Sequence, residues 1–408
     1  MSALEDHEIP ALFDIDAAAF GQRMSVGVTQ MVERALPRQR VAATRDDAEL
    51  VGVAVAESSL MTVPGPSQIP TAMVVGVAVL PSHRRQGRLT SLMRHQLDDI
   101  RGRGEVIASL YASEGGIYGR YGYGQATFGT SYTMDKRAAR LARPASEFGD
   151  GRVRIVSRSQ AAEAFPEVFA DYAPRRAGEF TRQELEFLVA LGEPGGEDLG
   201  RRWYAVHEDG GSIDGYVGYE IGPVEAPGSR DKRVIVRELC TLTTAGYVAL
   251  WQYLLGIDLT VELVARGRPV DEPIRWLLTD PRLLRAGRTG DRTWIRLVDV
   301  AAALARRRYP VAGDLVIEVQ DAFCQWNNGL YRLVVSEDWG EVEVQVDPAK
   351  SGADISLDVS ALASMYLGGV PATALAAVGR LRPSGPDVVR RATQMFANEV
   401  PPHSLTSF

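Results

Sequence analysis

Two stretches gather basic or phenolic side chains around glycines. The first is "SHRRQGRLT", Ser82 to Thr90, where Arg84, Arg85 and Arg88 surround Gly87 just ahead of an apolar-periodic run. Backbone N–H groups at the start of a helix bind phosphate oxygens, and a glycine lets the backbone approach closely. A basic turn that merely caps a helix fits the same residues. No Gly-Lys-Ser/Thr follows, and no G-x-G-x-x-G is present, so neither a P-loop nor a dinucleotide fingerprint is implied. The second stretch is "ASEGGIYGRYGYGQAT", Ala112 to Thr127, where five glycines separate Tyr118, Tyr121 and Tyr123. Glycine at this density makes a shaped turn. Each tyrosine brings a flat ring and a titratable hydroxyl. Either a flat or reactive group lies against this turn, or the three rings simply pack it.

Regular strands and a helix are expected on either side of both stretches. "TAMVVGVAVLP" is an almost unbroken apolar run stopped by Pro81, which predicts a central strand buried on both faces. Leu89, Leu92, Met93, Leu97 and Ile100 recur at helical spacing until Gly102 and Gly104. "EVIASLYAS" is then a strand that delivers the chain into the tyrosine turn, and "ATFGTSYTMD" is the strand leading out. Upstream, helices are expected around Ile9–Gly21 and Gln30–Leu36. A strand follows in "ELVGVAVAESSLMTVPG", with a turn at Pro64-Gly65-Pro66.

Beyond residue 135, "KRAARLARPASEFGDGR" reads as a linker. "VRIVSRSQAAEAFPEVFADYA" restarts a strand–helix order, and Asp209-Gly210-Gly211 predicts a hairpin. "DKRVIVRELCTLTTAGYVALWQYLLGID" is a strand and a helix. This order resembles that of residues 1–135 and suggests a repeated fold. The last hundred residues alternate apolar and polar positions, with turns at Asn327-Asn328-Gly329 and near Gly340. They predict an antiparallel sheet followed by three short helices.

A chain of 408 residues with 45% apolar content is long enough for two or three domains. The formal net charge of −7 argues against nucleic acid and anionic membranes as partners and suits cationic small molecules. Cys240 and Cys324 have neither redox nor metal-ligand spacing, which predicts a reducing cytoplasm. The five histidines show no metal spacing either, so no metal is expected. "MSALEDHEIP" lacks the apolar run of a signal peptide, and no apolar run would span a bilayer.

The segment "VAVLPSHRRQGRLTSLM" resembles the coenzyme-A-binding segment of the GNAT acetyltransferases, with Arg84, Gly87 and Leu89 at the three pattern positions. Leu89 stands where a small residue is usual. The wider run from "LMTVPG" through "HRRQG" to "ASEGGIYGRYGYG" is similar to the Eis (enhanced intracellular survival) family of N-acetyltransferases. The resemblance extends over the whole chain. It implies an α+β fold of two tandem GNAT-like domains, 1–135 and 136–300, then a sterol-carrier-protein-like α/β domain, 301–408. Only the first carries the phosphate loop, so the second would bind no cofactor. A homohexamer is also implied.

On this resemblance, the backbone of Val77, Ala78 and Val79 would pair with the pantetheine arm of acetyl-CoA like an added strand. N–H groups of Arg85, Gln86, Gly87, Arg88, Leu89 and Thr90 would hold its pyrophosphate, and Ser113 and Glu114 would complete the site. The family's general acid falls on Tyr118, and its general base on the carboxylate of Phe408. Expulsion of a thiolate makes sense of a phenol. A free thiol has a pKa of about 8.5 and a phenol of about 10, so a phenol keeps its proton at neutral pH and, held near the sulfur, can share it as the thiolate leaves. An alkylammonium near 10 and a carboxylate near 3.5 are mismatched for direct transfer. Phe408 is therefore expected to anchor the ammonium and to act as its base, with burial raising the carboxylate pKa or a bound water relaying the proton.

No cysteine lies near these motifs, which implies direct transfer in a ternary complex. The implied acceptor is a primary amine, first an aminoglycoside-type antibiotic. Lysine or peptide amines are the enzymatic alternative, and a catalytically silent lipid-binding protein is the other. Tyr111 and Ser407 replace a histidine and an acidic residue of the family. Arg23, after Phe20 and Gln22, would repel a polycation if it lined the pocket. Asp291 is a candidate partner for the amine.

Overall fold

The strand Ser67–Val79 and the helix Arg88–Gly102 form the frame around which the rest is built. The computed structural model describes residues 2–65, 67–192, 202–225, 229–348 and 352–408. Pro66, the last residue of the turn expected at 64–66, lies outside the described residues. The chain divides into two units. One holds Met1–Thr127, Arg176–Phe180 and Asp291–Phe408, and the other holds Phe128–Arg175 and Thr181–Gly290.

The first unit contains a seven-stranded sheet in the order Ser2–Ala3, Val41–Asp46, Glu49–Val63, Ser67–Val79, Ile107–Tyr111, Thr293–Leu297, Gly124–Gln125. Its neighbours run antiparallel except Ser67–Val79 and Ile107–Tyr111, which are parallel. Parallel neighbours need a crossover, and Arg88–Gly102 supplies it. Leu92, Met93, Leu97 and Ile100 are its buried stripe, as their spacing predicts. The unit also holds a five-stranded sheet, Val342–Val346, Gly329–Val335, Gly313–Gln320, Ile355–Asp358, Leu381–Pro383. The helices Val359–Tyr366, Ala372–Ala377 and Pro386–Met395 accompany it. Met61, Val63, Ile69 and Met73 of the first sheet share one core with Leu315, Ile317, Leu362 and Met365 of this part.

The second unit repeats the first plan. Its seven strands lie in the order Arg285–Asp291, Phe128–Asp135, Glu262–Arg268, Lys232–Thr241, Ser212–Pro223, Arg202–Asp209, Arg152–Val156. Lys232–Thr241 and Glu262–Arg268 form a parallel pair. The helix Thr244–Gly256 crosses between them. The expected hairpin closes at Gly210 and Gly211, both with positive φ.

Three local readings differ from the structure. The second helix spans Val26–Ala35 because Ser25 caps it, its hydroxyl accepting from the Val28 N–H at 3.3 Å. The segment expected as a linker begins with buried Lys136 and Ala139. The last sheet is not purely antiparallel, because Ile355–Asp358 runs parallel to Gly313–Gln320.

Candidate active site

The central strand carries an unpaired edge. Ser67–Val79 pairs with Ile107–Tyr111 only at Thr71, Ala72 and Met73, although it runs six residues further. On its other side it stays paired with Glu49–Val63 as far as Val79, across a bulge at Gly76 and Val77. Gly76 has φ +54, and a bulge there twists the strand locally. The main chain of Val77, Ala78 and Val79 is thus free of the neighbouring strand on the side of Ile107–Tyr111. A free edge of this kind accepts an extended ligand by main-chain hydrogen bonds.

This edge runs into the basic loop. Pro81–His83 makes one tight turn, Arg85 takes φ +62, and Gly87 takes φ +78 as the residue before the helix. The left-handed conformation suits glycine, and nothing lies within 4 Å of where a Cβ would stand on Gly87. The arginine side chains differ in their engagements. Arg84 donates to the carbonyls of Val79 at 3.4 Å and Ala19 at 3.3 Å. Arg88 donates to the Asp46 carboxylate and the Arg45 carbonyl, both at 2.8 Å. Arg85 and Gln86 are exposed. What the loop offers to an anion is chiefly its backbone N–H groups and the helix N-terminus.

The far wall is the tyrosine turn. Tyr118–Tyr121 is a short 3-10 turn closed by Gly122 at φ +85. Tyr118 is buried in a cluster with Met93, Leu97, Leu110 and Trp294, with Val77 and Leu89 at its border. The Tyr121 hydroxyl lies 3.3 Å from the Thr90 hydroxyl and so ties the turn to the first turn of the loop's helix. Tyr123 stands edge-on to Tyr118, with centroids 6.0 Å apart. Burial raises the Tyr118 phenol above its ordinary value. The Ser113 hydrogen bond opposes that rise, and Tyr121 and Glu114 add to it. Ser113 and Glu114 are exposed residues of the same turn.

The glycines have distinct duties. A Cβ on Gly124 would fall 2.1 Å from the Ser360 carbonyl oxygen, and one on Gly122 would fall 2.8 Å from Arg296 and Val359. Gly116 and Gly119 have open space instead.

The end of the chain comes to the same strand end. Phe408 is half-buried, its ring edge-on to Tyr111 at 5.1 Å and to Phe180 at 5.2 Å. The Tyr111 hydroxyl donates to the Thr406 carbonyl at 2.5 Å, and Arg292 reaches both Tyr111 and Ser407 at 3.4 Å. Asp291 accepts from the Trp294 indole N–H at 2.6 Å, so its carboxylate is engaged beside the tyrosine cluster. Arg23 pairs with Asp14 at 2.6 Å, and both side chains are exposed.

Sequence reading missed Glu179, Phe180 and Arg292, which hold the tail. The expectation that no cysteine lies near these motifs is overturned, because Cys324 joins the Tyr118 cluster through a long-range contact. No local signal marks any of them, since each acts through a long-range contact. Burial raises the Cys324 thiol above its ordinary range and disfavours the thiolate. Among the described residues no group of three or more His, Cys, Asp or Glu could hold a metal ion, and no helix is long and apolar enough to cross a membrane.

The chain is similar to known acetyltransferases. Residues 1–126 and 178–297 each match a family model described as an acetyltransferase (GNAT) domain, and residues 300–404 match a sterol carrier protein domain. The chain is 40% identical over 344 residues to an uncharacterized N-acetyltransferase of Streptomyces coelicolor, covering 84% of this chain and 82% of that one. It is 32% identical over 412 residues to the N-acetyltransferase Eis of Mycobacterium tuberculosis, covering 98% and 97%. The crystal structure of Eis1 from Mycobacterium abscessus superposes with a TM-score of 0.86 at 33% identity, over 100% of this chain and 99% of that one. GNAT acetyltransferases use acetyl-CoA, and the free strand edge and left-handed loop fit such a donor. The chain belongs to the Eis family of N-acetyltransferases.

Proposed function

We propose that this acetyltransferase moves the acetyl group of acetyl-CoA to primary amines, aminoglycoside-type antibiotics foremost, by direct transfer in a ternary complex. The observation that supports this best is the strand edge left free beyond Met73, with the Gly87 loop at its end and buried Tyr118 at its border. When bound, acetyl-CoA supplies the acetyl group as a thioester.

The residues divide the work. The main chain of Val77, Ala78 and Val79 binds the pantetheine arm, and the N–H groups from Arg85 to Thr90 bind the pyrophosphate. Arg84 shapes the loop by its bonds to Val79 and Ala19. Ser113 and Glu114 border Tyr118 from the exposed side. Tyr118 holds its proton at Oη until the sulfur departs, and its raised pKa keeps that proton in place at neutral pH. The carboxylate of Phe408 orients the ammonium and receives its proton, directly or through water. Burial disfavours the Cys324 thiolate, which favours direct transfer over an acyl-cysteine.

The net charge of −7 favours cationic acceptors. We assign the acetyl-CoA site to 1–135, a cofactor-free scaffold to 136–300 and the tail-bearing domain to 301–408. A cytoplasmic, metal-free homohexamer acting on small-molecule amines completes the reading.

The test is thiol release from acetyl-CoA with a panel of amines, with product masses. Release driven by a kanamycin-type aminoglycoside, and an acetylated antibiotic, supports the proposal. Release with lysine peptides alone would move the substrate to protein amines. Acetyl-CoA binding with no release on any amine would overturn the reading.

A further inference from the structure

Glu179 is fully buried, and no motif singles it out. Its carboxylate accepts from the Thr406 hydroxyl at 2.6 Å, the Leu405 N–H at 2.7 Å, the Ser404 hydroxyl at 2.9 Å and the Thr406 N–H at 3.3 Å. It also accepts from the Phe180 N–H at 3.0 Å. Four of these five donors belong to the last five residues of the sequence.

The main chain around Glu179 is fixed to the first sheet. The Thr62 N–H donates to the Glu179 carbonyl, and the Gly178 N–H donates to the Thr62 carbonyl, both at 2.8 Å. The His403 N–H donates to the Ala177 carbonyl at 2.9 Å. Residues 177–180 therefore bridge the strand Glu49–Val63 and the tail. Gly178 has φ +90, and a Cβ there would come 2.9 Å from Thr127. Thr406 is held from both sides, by Glu179 through its N–H and hydroxyl and by Tyr111 through its carbonyl.

Chain ends normally fray. Here the donors of three successive residues converge on one buried carboxylate, two positions before Phe408. We propose that Glu179 is a positioning residue: it locks Ser404, Leu405 and Thr406, and thereby sets where the Phe408 carboxylate meets the amine. This rests on the role given to Phe408 above. Glutamine at 179 keeps the shape but cannot accept at both ends of the group. It loses either the bond from the Leu405 N–H or the bonds from the Ser404 and Thr406 donors to position 179.

The experiment compares wild type, Glu179→Gln, deletion of Phe408, and the double variant. Glu179→Gln should lower kcat roughly 10- to 100-fold, since small misplacements of a reacting group cost about that much. Its Kd for acetyl-CoA should stay within about twofold of wild type, below the tenfold that corresponds to 1.4 kcal/mol. Carboxypeptidase A should release Phe408 faster from the variant than from wild type. In the Phe408 deletion, Glu179→Gln should add no further loss, because both changes act through one group. If Glu179→Gln fails to fold, Thr406→Val removes one donor and takes its place in each arm. Wild-type kcat in the variant, an unchanged release of Phe408, or losses that multiply in the double variant would overturn the proposal. Full turnover after deletion of Phe408 would instead sink the reading of Phe408, while the carboxypeptidase arm would still decide whether Glu179 holds the tail.

Discussion

The ring of Phe408 stands edge-on to that of Tyr111, with centroids 5.1 Å apart and planes at 74°. Tyr111 ends the strand that leads, through Ser113 and Glu114, to Tyr118. The contact, worth about 0.5–1.5 kcal/mol, thus joins the last residue of the sequence to the turn that carries the proposed acid. A tail tied only by this stack would still sample other positions. The Tyr111–Thr406 hydrogen bond and the Glu179 carboxylate narrow them.

Gly124 should be intolerant where Gly119 is not. The Cβ of Gly124→Ala would collide with the Ser360 carbonyl at 2.1 Å and the Ser364 hydroxyl at 2.5 Å, both on the helix Val359–Tyr366. The expected cost is about 3 kcal/mol. Gly119→Ala meets open space and should stay within about 0.5 kcal/mol of wild type. Denaturant unfolding of the two variants checks this contrast. Equal losses would mean the helix does not press on the turn.

Gly87→Ala tests the phosphate loop. At φ +78 a side chain costs about 1–2 kcal/mol locally, and its methyl projects into the space beside the helix start. Loss of one charge-assisted hydrogen bond, about 1.5 kcal/mol, should raise KM for acetyl-CoA roughly tenfold, while kcat at saturation is kept. Steady-state kinetics in acetyl-CoA decides this. An unchanged KM would place the pyrophosphate elsewhere.

Lys136 should give a pH signature in stability. Its ammonium donates to the Ile257 carbonyl at 2.6 Å and to the Thr260 hydroxyl at 2.5 Å. Burial lowers its pKa to about 8, against about 10.4 when unfolded, with Asp258 opposing. Between those values the unfolded chain binds more protons, so stability rises with pH through this window. Below about 8 both states hold the proton, and the cost of burying it is present in full. The unfolding free energy of wild type should therefore gain on that of Lys136→Met as pH goes from about 7.5 to about 9.5. A constant difference between the two would contradict the shift.

The pH profile of turnover should lack an early alkaline fall. The Tyr118 phenol lies above its ordinary value of about 10, chiefly through burial. It keeps its proton while the amine is losing its own. Turnover at saturating acetyl-CoA should rise from neutral pH and hold to about pH 9.5. A fall with a midpoint below about 9 would exclude Tyr118 as the group that donates.

The loop and the turn were legible in sequence because their signals are local. Gly87 before a periodic apolar run, and glycines between tyrosines, dictate backbone shape within a few residues. The repeated strand–helix order likewise suggested a repeated fold, and residues 178–297 match a second GNAT domain. Long-range pairings were not legible. Thr293–Leu297 inserts between Ile107–Tyr111 and Gly124–Gln125 in the first sheet, and nothing in its pattern names those neighbours. Glu179 reads as an ordinary polar residue until the tail folds onto it. Lys136 sits in a basic stretch that resembles a solvated linker, yet the end of the helix Thr244–Gly256 encloses it.

Whether Tyr118 protonates the departing sulfur is decided by single-turnover acetyl transfer in Tyr118→Phe, with acetyl-CoA saturating and its Kd measured separately. The phenylalanine ring keeps the packing and removes the hydroxyl with its proton. The rate should fall about 10²- to 10³-fold, with the Kd for acetyl-CoA held within about threefold. A rate within about threefold of wild type would show that the sulfur leaves without a proton from Tyr118, and the mechanism would be contradicted.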